Sequence, residues 1–150
     1  MSTNKFHIQG IDHVELFVPD RHEAAKWFNE VLEFEIVPAY EDWAKNKHGP
    51  LMISPDGGNS KLALFIGEPQ GSRETAGHHR VAFGVDAAGF IHFLKSLQVK
   101  EIFNQNSHRV TERDVVDHIK AFSIYFCDPY GHRFEITTYD YDEVTKYIAA

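Results

Sequence analysis

At 150 residues, with 43% hydrophobic and 25% charged side chains, the chain is the size and composition of one globular domain, and it can bury roughly two thirds of its unfolded surface without staples. The net charge of −7 with no Lys/Arg-rich block speaks against a nucleic-acid partner, and no apolar run approaches the roughly 20 residues of a membrane span. The polar start lacks the apolar stretch of a signal peptide, and a single cysteine, Cys127, closes no internal disulfide, so the cytoplasm is the expected compartment.

The first element is a strand. Val14, Leu16 and Val18 alternate with His13, Glu15 and Phe17, the period of a half-buried strand. Asp20 is placed to cap a helix over 21–32, whose apolar stripe is Ala24, Trp27, Phe28, Val31 and Leu32. Three short strands follow at 34–37, 51–54 and 61–66, the last two joined by a turn at Pro55-Asp56-Gly57-Gly58-Asn59.

The order then repeats. Val81, Phe83 and Val85 alternate against Arg80, Ala82 and Gly84, and a helix follows with Phe90, Ile91, Phe93, Leu94 and Leu97 on one stripe. Strands are expected at 99–103, 121–127 and 133–138, the last two divided by Asp128-Pro129-Tyr130-Gly131. Residues 104–118 are polar and read as a loop or an exposed extension, and a short helix-like tail ends the chain. Two diverged copies of one unit account for the pattern: module one over about 8–67, a linker over about 68–77, module two over about 78–140 and a tail over 141–150. Cys127 reads as a strand residue rather than a nucleophile, and His22, His48, His78, His92 and His132 read as surface residues.

The opening Ile-Asp-His-Val-Glu-Leu-Phe-Val-Pro-Asp and the late Asp-Pro-Tyr-Gly-His-Arg-Phe-Glu-Ile are similar to motifs of the vicinal oxygen chelate superfamily, which includes glyoxalase I, fosfomycin- and bleomycin-resistance proteins and extradiol dioxygenases. The resemblance runs from about residue 11 to residue 139. It implies an α+β fold of two tandem βαβββ modules, forming an eight-stranded, cup-shaped, mostly antiparallel sheet with the helices outside, and it implies a homodimer.

It also implies a divalent metal in the cup: Fe, Mn, Zn or Ni. The four family seats fall on His13, Ala63, Arg80 and Glu135, and His13 and Glu135 match the family's ligands directly. Imidazole and carboxylate suit such ions and leave positions open for substrate oxygens. Ala63 cannot ligate, and Arg80 stands where the family carries a histidine. A third ligand therefore falls to His79, if a β-bulge turns it inward, or to His118. Glu135 doubles as the candidate catalytic group, and Arg80, Glu15, Phe17, Ser123, Tyr125 and Thr137 share the seats' strand faces as candidate substrate contacts.

Two functions stay open. One is a metal-dependent lyase, isomerase or dioxygenase acting on a small substrate through neighbouring oxygens. The other is a metal-free protein that binds or sequesters a small molecule, in the manner of bleomycin-resistance proteins, with Arg80 and Glu135 as polar anchors.

Overall fold

In the computed structural model, which describes residues 10–68 and 80–150, the chain divides into two compact units, Met1–Glu68 and Pro69–Ala150. Each unit is a four-stranded mixed sheet with α-helices, one in the first and two in the second among the described residues, so the architecture is α+β and follows the repeated strand–helix–strands order.

The first unit opens with β1 (His13–Val18) and α1 (Arg21–Leu32). The α1 boundary is set chemically: the Asp20 carboxylate accepts from the backbone N–H groups of His22 and Glu23, satisfying two donors that a helix start leaves free. The helix stops at Glu33, a left-handed residue (φ 60°) whose N–H returns to the last turn. Strands β2 (Glu35–Ile36), β3 (Leu51–Ser54) and β4 (Lys61–Ile66) then complete a sheet of order β1-β4-β3-β2, in which β1 and β4 are parallel and the other pairs antiparallel. Leu16, Val18, Leu62 and Leu64 are buried together with Ala24, Ala25, Phe28 and Val31 of α1.

Between β2 and β3 lies a 3-10 segment, Pro38–Lys45, that the apolar spacing did not predict. It is held from outside itself. The buried Arg21 guanidinium donates to the carbonyls of Ala44 and Asn46, so a cation at the first residue of α1 satisfies the acceptors at the segment's end.

The second unit runs β5 (Val81–Gly84), α2 (Ala87–Ser96), β6 (Val116–Asp117), β7 (Phe122–Cys127), β8 (Arg133–Thr138) and α3 (Tyr141–Ala149), with sheet order β5-β8-β7-β6. Again the first strand pairs in parallel with the last, and the remaining pairs are antiparallel. Phe126, Phe134, Ile124 and Ile136 fill the face that meets Phe90, Phe93 and Leu94 of α2. Among the ties of the tail helix, Asp140 accepts from the Ala87 N–H at the start of α2, and Tyr141 stacks on Phe122 at 4.6 Å.

One expected strand is absent. Residues 99–103 form no strand, because the Ser96 carbonyl at the end of α2 accepts from the Val99 and Lys100 amides and turns the chain. Only Phe103 makes isolated bridges, to Arg109 and Cys127. The fourth strand is instead Val116–Asp117, in the polar stretch read as loop or extension, where pairing with β7 rather than side-chain pattern creates it.

The two hairpin turns repeat one device. Asp56 Oδ1 accepts from the Ser60 amide at 2.8 Å, and Asp128 Oδ1 accepts from the His132 amide at 2.8 Å, four residues on in both cases. His132, expected at the surface, is buried, and its Nδ1 lies 2.6 Å from Asp128 Oδ2.

Candidate functional site

Each sheet spends one face on its helix, and by the alternation of strand side chains the candidate residues fall on the other. In the first unit that face carries His13, Glu15 and Phe17 on β1 beside Lys61, Ala63 and Phe65 on β4, through the parallel register. Ala63 is 1% exposed and packs with Val37 and Met52, so the second family seat is apolar core. Phe17 and Phe65 approach at 6.3 Å between ring centroids.

His13 has a carboxylate at each ring nitrogen: Asp12 Oδ2 lies 2.8 Å from Nδ1, and Glu15 Oε2 lies 3.1 Å from Nε2. The hydrogen bond with Asp12, then that with Glu15, holds the imidazole's pKa above its ordinary value. The same contact with His13, followed by Lys61 (Nζ 3.2 Å from Asp12), lowers that of Asp12. If both ring nitrogens carried protons, His13 would have no lone pair to offer. A metal would need its proton released and Glu15 moved from Nε2.

In the second unit the equivalent face is polar along its length. β5 presents Ala82 and Gly84 to it, with Arg80 just before the strand in the same alternation, β8 presents Arg133, Glu135 and Thr137, and β7 presents Ser123, Tyr125 and Cys127, with Tyr125 opposite Glu135 and Ser123 opposite Thr137. Ser123 Oγ donates to Glu135 Oε2 at 2.7 Å and lies 3.0 Å from Thr137 Oγ1, whose proton goes to the Phe122 carbonyl. Glu135 is half-buried, and no cation pairs with it among the described residues.

Arg80 lays its guanidinium on the Tyr125 ring, Cζ 4.6 Å from the centroid. Its Nε is buried and has no hydrogen-bond partner among the described residues. The Tyr125 hydroxyl shares a 2.8 Å hydrogen bond with His118 Nε2. His118 therefore reaches this face, through Tyr125 and not through Glu135. Burial, more than the neighbouring Asp128 charge, pushes the Cys127 thiol up, against the pull of Arg133 and Arg80, so it is a poor nucleophile at neutral pH.

The structure thus brings Glu135, Ser123, Thr137, Tyr125, His118 and Arg80 together on one sheet and keeps His13, Glu15 and Phe17 together on the other. His79 lies outside the described residues. Arg133 was missed at the sequence level, although its place two residues before Glu135 puts it on the same face by strand period. Carboxylate and neutral imidazole, the donor types of Glu135 and His13, suit a divalent ion. Among the described residues no three His, Cys, Asp or Glu side chains gather to complete a set.

Residues 10–136 match the Glyoxalase/Bleomycin resistance protein/Dioxygenase superfamily. The chain belongs to this superfamily. Among solved structures it is similar to the genomically encoded fosfomycin resistance protein FosX from Listeria monocytogenes, at 15% identity over 92% of this chain and 99% of that one, TM-score 0.64. A second FosX structure from that organism, complexed with Mn(II) and sulfate, matches at 19% identity over 95% and 99% of the chains, TM-score 0.55. The oxidase ChaP-H1 matches at 18% identity over 89% and 98%, TM-score 0.62. At these identities the likeness is one of fold. No curated protein matches the sequence. Among the described residues, no helix is long and apolar enough to cross a membrane.

Proposed function

We propose that this chain, as a single vicinal oxygen chelate domain, is a metal-dependent lyase, isomerase or dioxygenase whose small substrate offers two neighbouring oxygens to a divalent ion. The observation that supports it most is Glu135: a half-buried carboxylate, oriented by Ser123, with no ion-pair partner among the described residues. A charge so placed favours a cationic partner, since a partly desolvated carboxylate left unpaired is costly. His13, Glu135 and His79 are the residues that would hold the ion, which supplies Lewis-acid stabilisation of an oxyanionic or enolate-like species.

The chain's own side chains do the rest. Ser123 occupies one oxygen of Glu135 and so fixes which oxygen faces outward. Tyr125, opposite Glu135 and bonded to His118, is placed to pass a proton to or from a bound oxygen. Arg80 and Thr137 from this module, and Glu15 and Phe17 from the first, line the substrate's surroundings. The domain works as a cytoplasmic homodimer in this reading.

Metal analysis of protein purified without an affinity tag tests it. His13→Ala and Glu135→Ala should each abolish stoichiometric metal while the fold persists, and His79→Ala should do the same. Retained metal in His79→Ala with loss in His118→Ala moves the third place to His118.

A metal-free binding protein is the second reading. It is favoured by the side chains at two of the four family seats, an alanine buried in the core and an arginine stacked on Tyr125. A parent protein that carries no metal, or metal unchanged across all four variants, makes it the better account.

A further inference from the structure

We propose that the cavity in the second module between the open sheet face and residues 104–114 binds an oxyanion, a carboxylate or phosphate group of the ligand, at Arg80. The inference rests on the reading that this face takes a small molecule, but not on the metal. The cavity holds about 240 Å³, and its lining includes Arg80, Arg133, Tyr125, Cys127, Asn104 and Asp114. That is below the several hundred Å³ of a typical whole-ligand pocket, so it fits an acidic group and a few attached atoms.

The charge is unusual for this protein. A chain of net charge −7 gathers two guanidinium groups here against one carboxylate. That carboxylate, Asp114, is already engaged, accepting from the Thr111 amide at 2.8 Å. Asn104 Oδ1 likewise accepts from the Asn106 and His108 amides, which leaves its NH₂ donors as the end of the side chain with no partner among the described residues. Arg133 is likewise engaged, so the donors on offer are those of Arg80 and the Asn104 amide.

Arg80 carries the argument furthest. Its Nε is buried with no acceptor among the described residues, and an unsatisfied buried donor of a charged group is costly enough to predict an acceptor. The Tyr125 ring, 4.6 Å from Arg80 Cζ, offers its π face to the cation but no acceptor for the Nε–H, which is left for the ligand. Carboxylate and phosphate both present paired oxygens to such an edge.

The test uses the full chain after treatment with a chelator, so that absence of metal does not alter the readout. Malonate and inorganic phosphate are titrated by calorimetry at constant ionic strength, with chloride as control. Saturable binding of either, weakened about tenfold or more in Arg80→Gln, is expected. Tighter malonate assigns a carboxylate, and tighter phosphate a phosphate. Gln105→Glu, on an exposed residue of the same lining, should weaken binding without touching the sheet, which keeps the test valid if Arg80→Gln misfolds. Binding no better than chloride, or unchanged in Gln105→Glu and in a folded Arg80→Gln, overturns the proposal. If metal is retained in the parent protein and anion binding is absent, only the anion site falls.

Discussion

Glu135 and Ser123 form the contact on which the metal reading turns, because a single hydroxyl decides how the carboxylate is presented. Removing it with Ser123→Ala should leave the fold intact and weaken metal affinity about tenfold, the usual scale for losing an outer hydrogen bond to a ligand. Competition with a metallochromic chelator measures this, and an affinity equal to the parent's would show that Ser123 does not orient the ligand. His13 teaches a different lesson. The sequence announced its seat through strand period and motif, but not that Asp12, facing it from the neighbouring position, and Glu15, two residues on, would take both ring nitrogens. Arg80 is similar: its identity was legible, while the stacking on Tyr125 depends on β5 and β7 both flanking β8.

Among the elements, the two Asp-centred turns give the clearest expectations. Four contacts to Asp56, led by the Ser60 amide, hold its pKa down at about 2 from 3.8. A depressed carboxylate stabilises the fold above its unfolded pKa, and that contribution is lost as pH falls through the folded value. Protection of the Ser60 amide, normalised to intrinsic exchange, should therefore fall as pH drops from about 3.8 to about 2, and in Asp56→Asn it should be weaker at neutral pH. Protection that persists at pH 2 in the parent would refute this account of the turn. In the second turn Asp128 and His132 are buried. Asp128→Ala strands the His132 ring and its amide together, and should cost about 1–3 kcal/mol in urea unfolding. A cost within experimental error would mean that water reaches His132.

The boundaries of α1, β3, β4 and β8 coincide with those read from periodicity, since each has a clear apolar stripe, alternation or cap. The 3-10 segment Pro38–Lys45 and the strand Val116–Asp117 do not, because their partners, Arg21 and β7, are distant in sequence.

At the scale of the whole molecule, the homodimer is the remaining expectation, and light scattering at micromolar concentration should return about twice the 17.2 kDa chain mass. A monomer at that concentration would count against sites completed by a second chain. By itself the sequence determined the repeated strand–helix–strands order and the helix-facing side of each sheet. These follow from local periodicity, which depends only on whether a side chain points toward the helix or away from it. Only the tertiary structure decided which of those side chains have partners. Ser123 meets Glu135 and Thr137 across β7 and β8, Tyr125 joins His118 to Arg80, and residues of the 104–114 stretch line one cavity with Arg80 and Arg133. Such contacts join residues from different strands and loops, and strand order and register, which set them, are written in no single stretch of the chain.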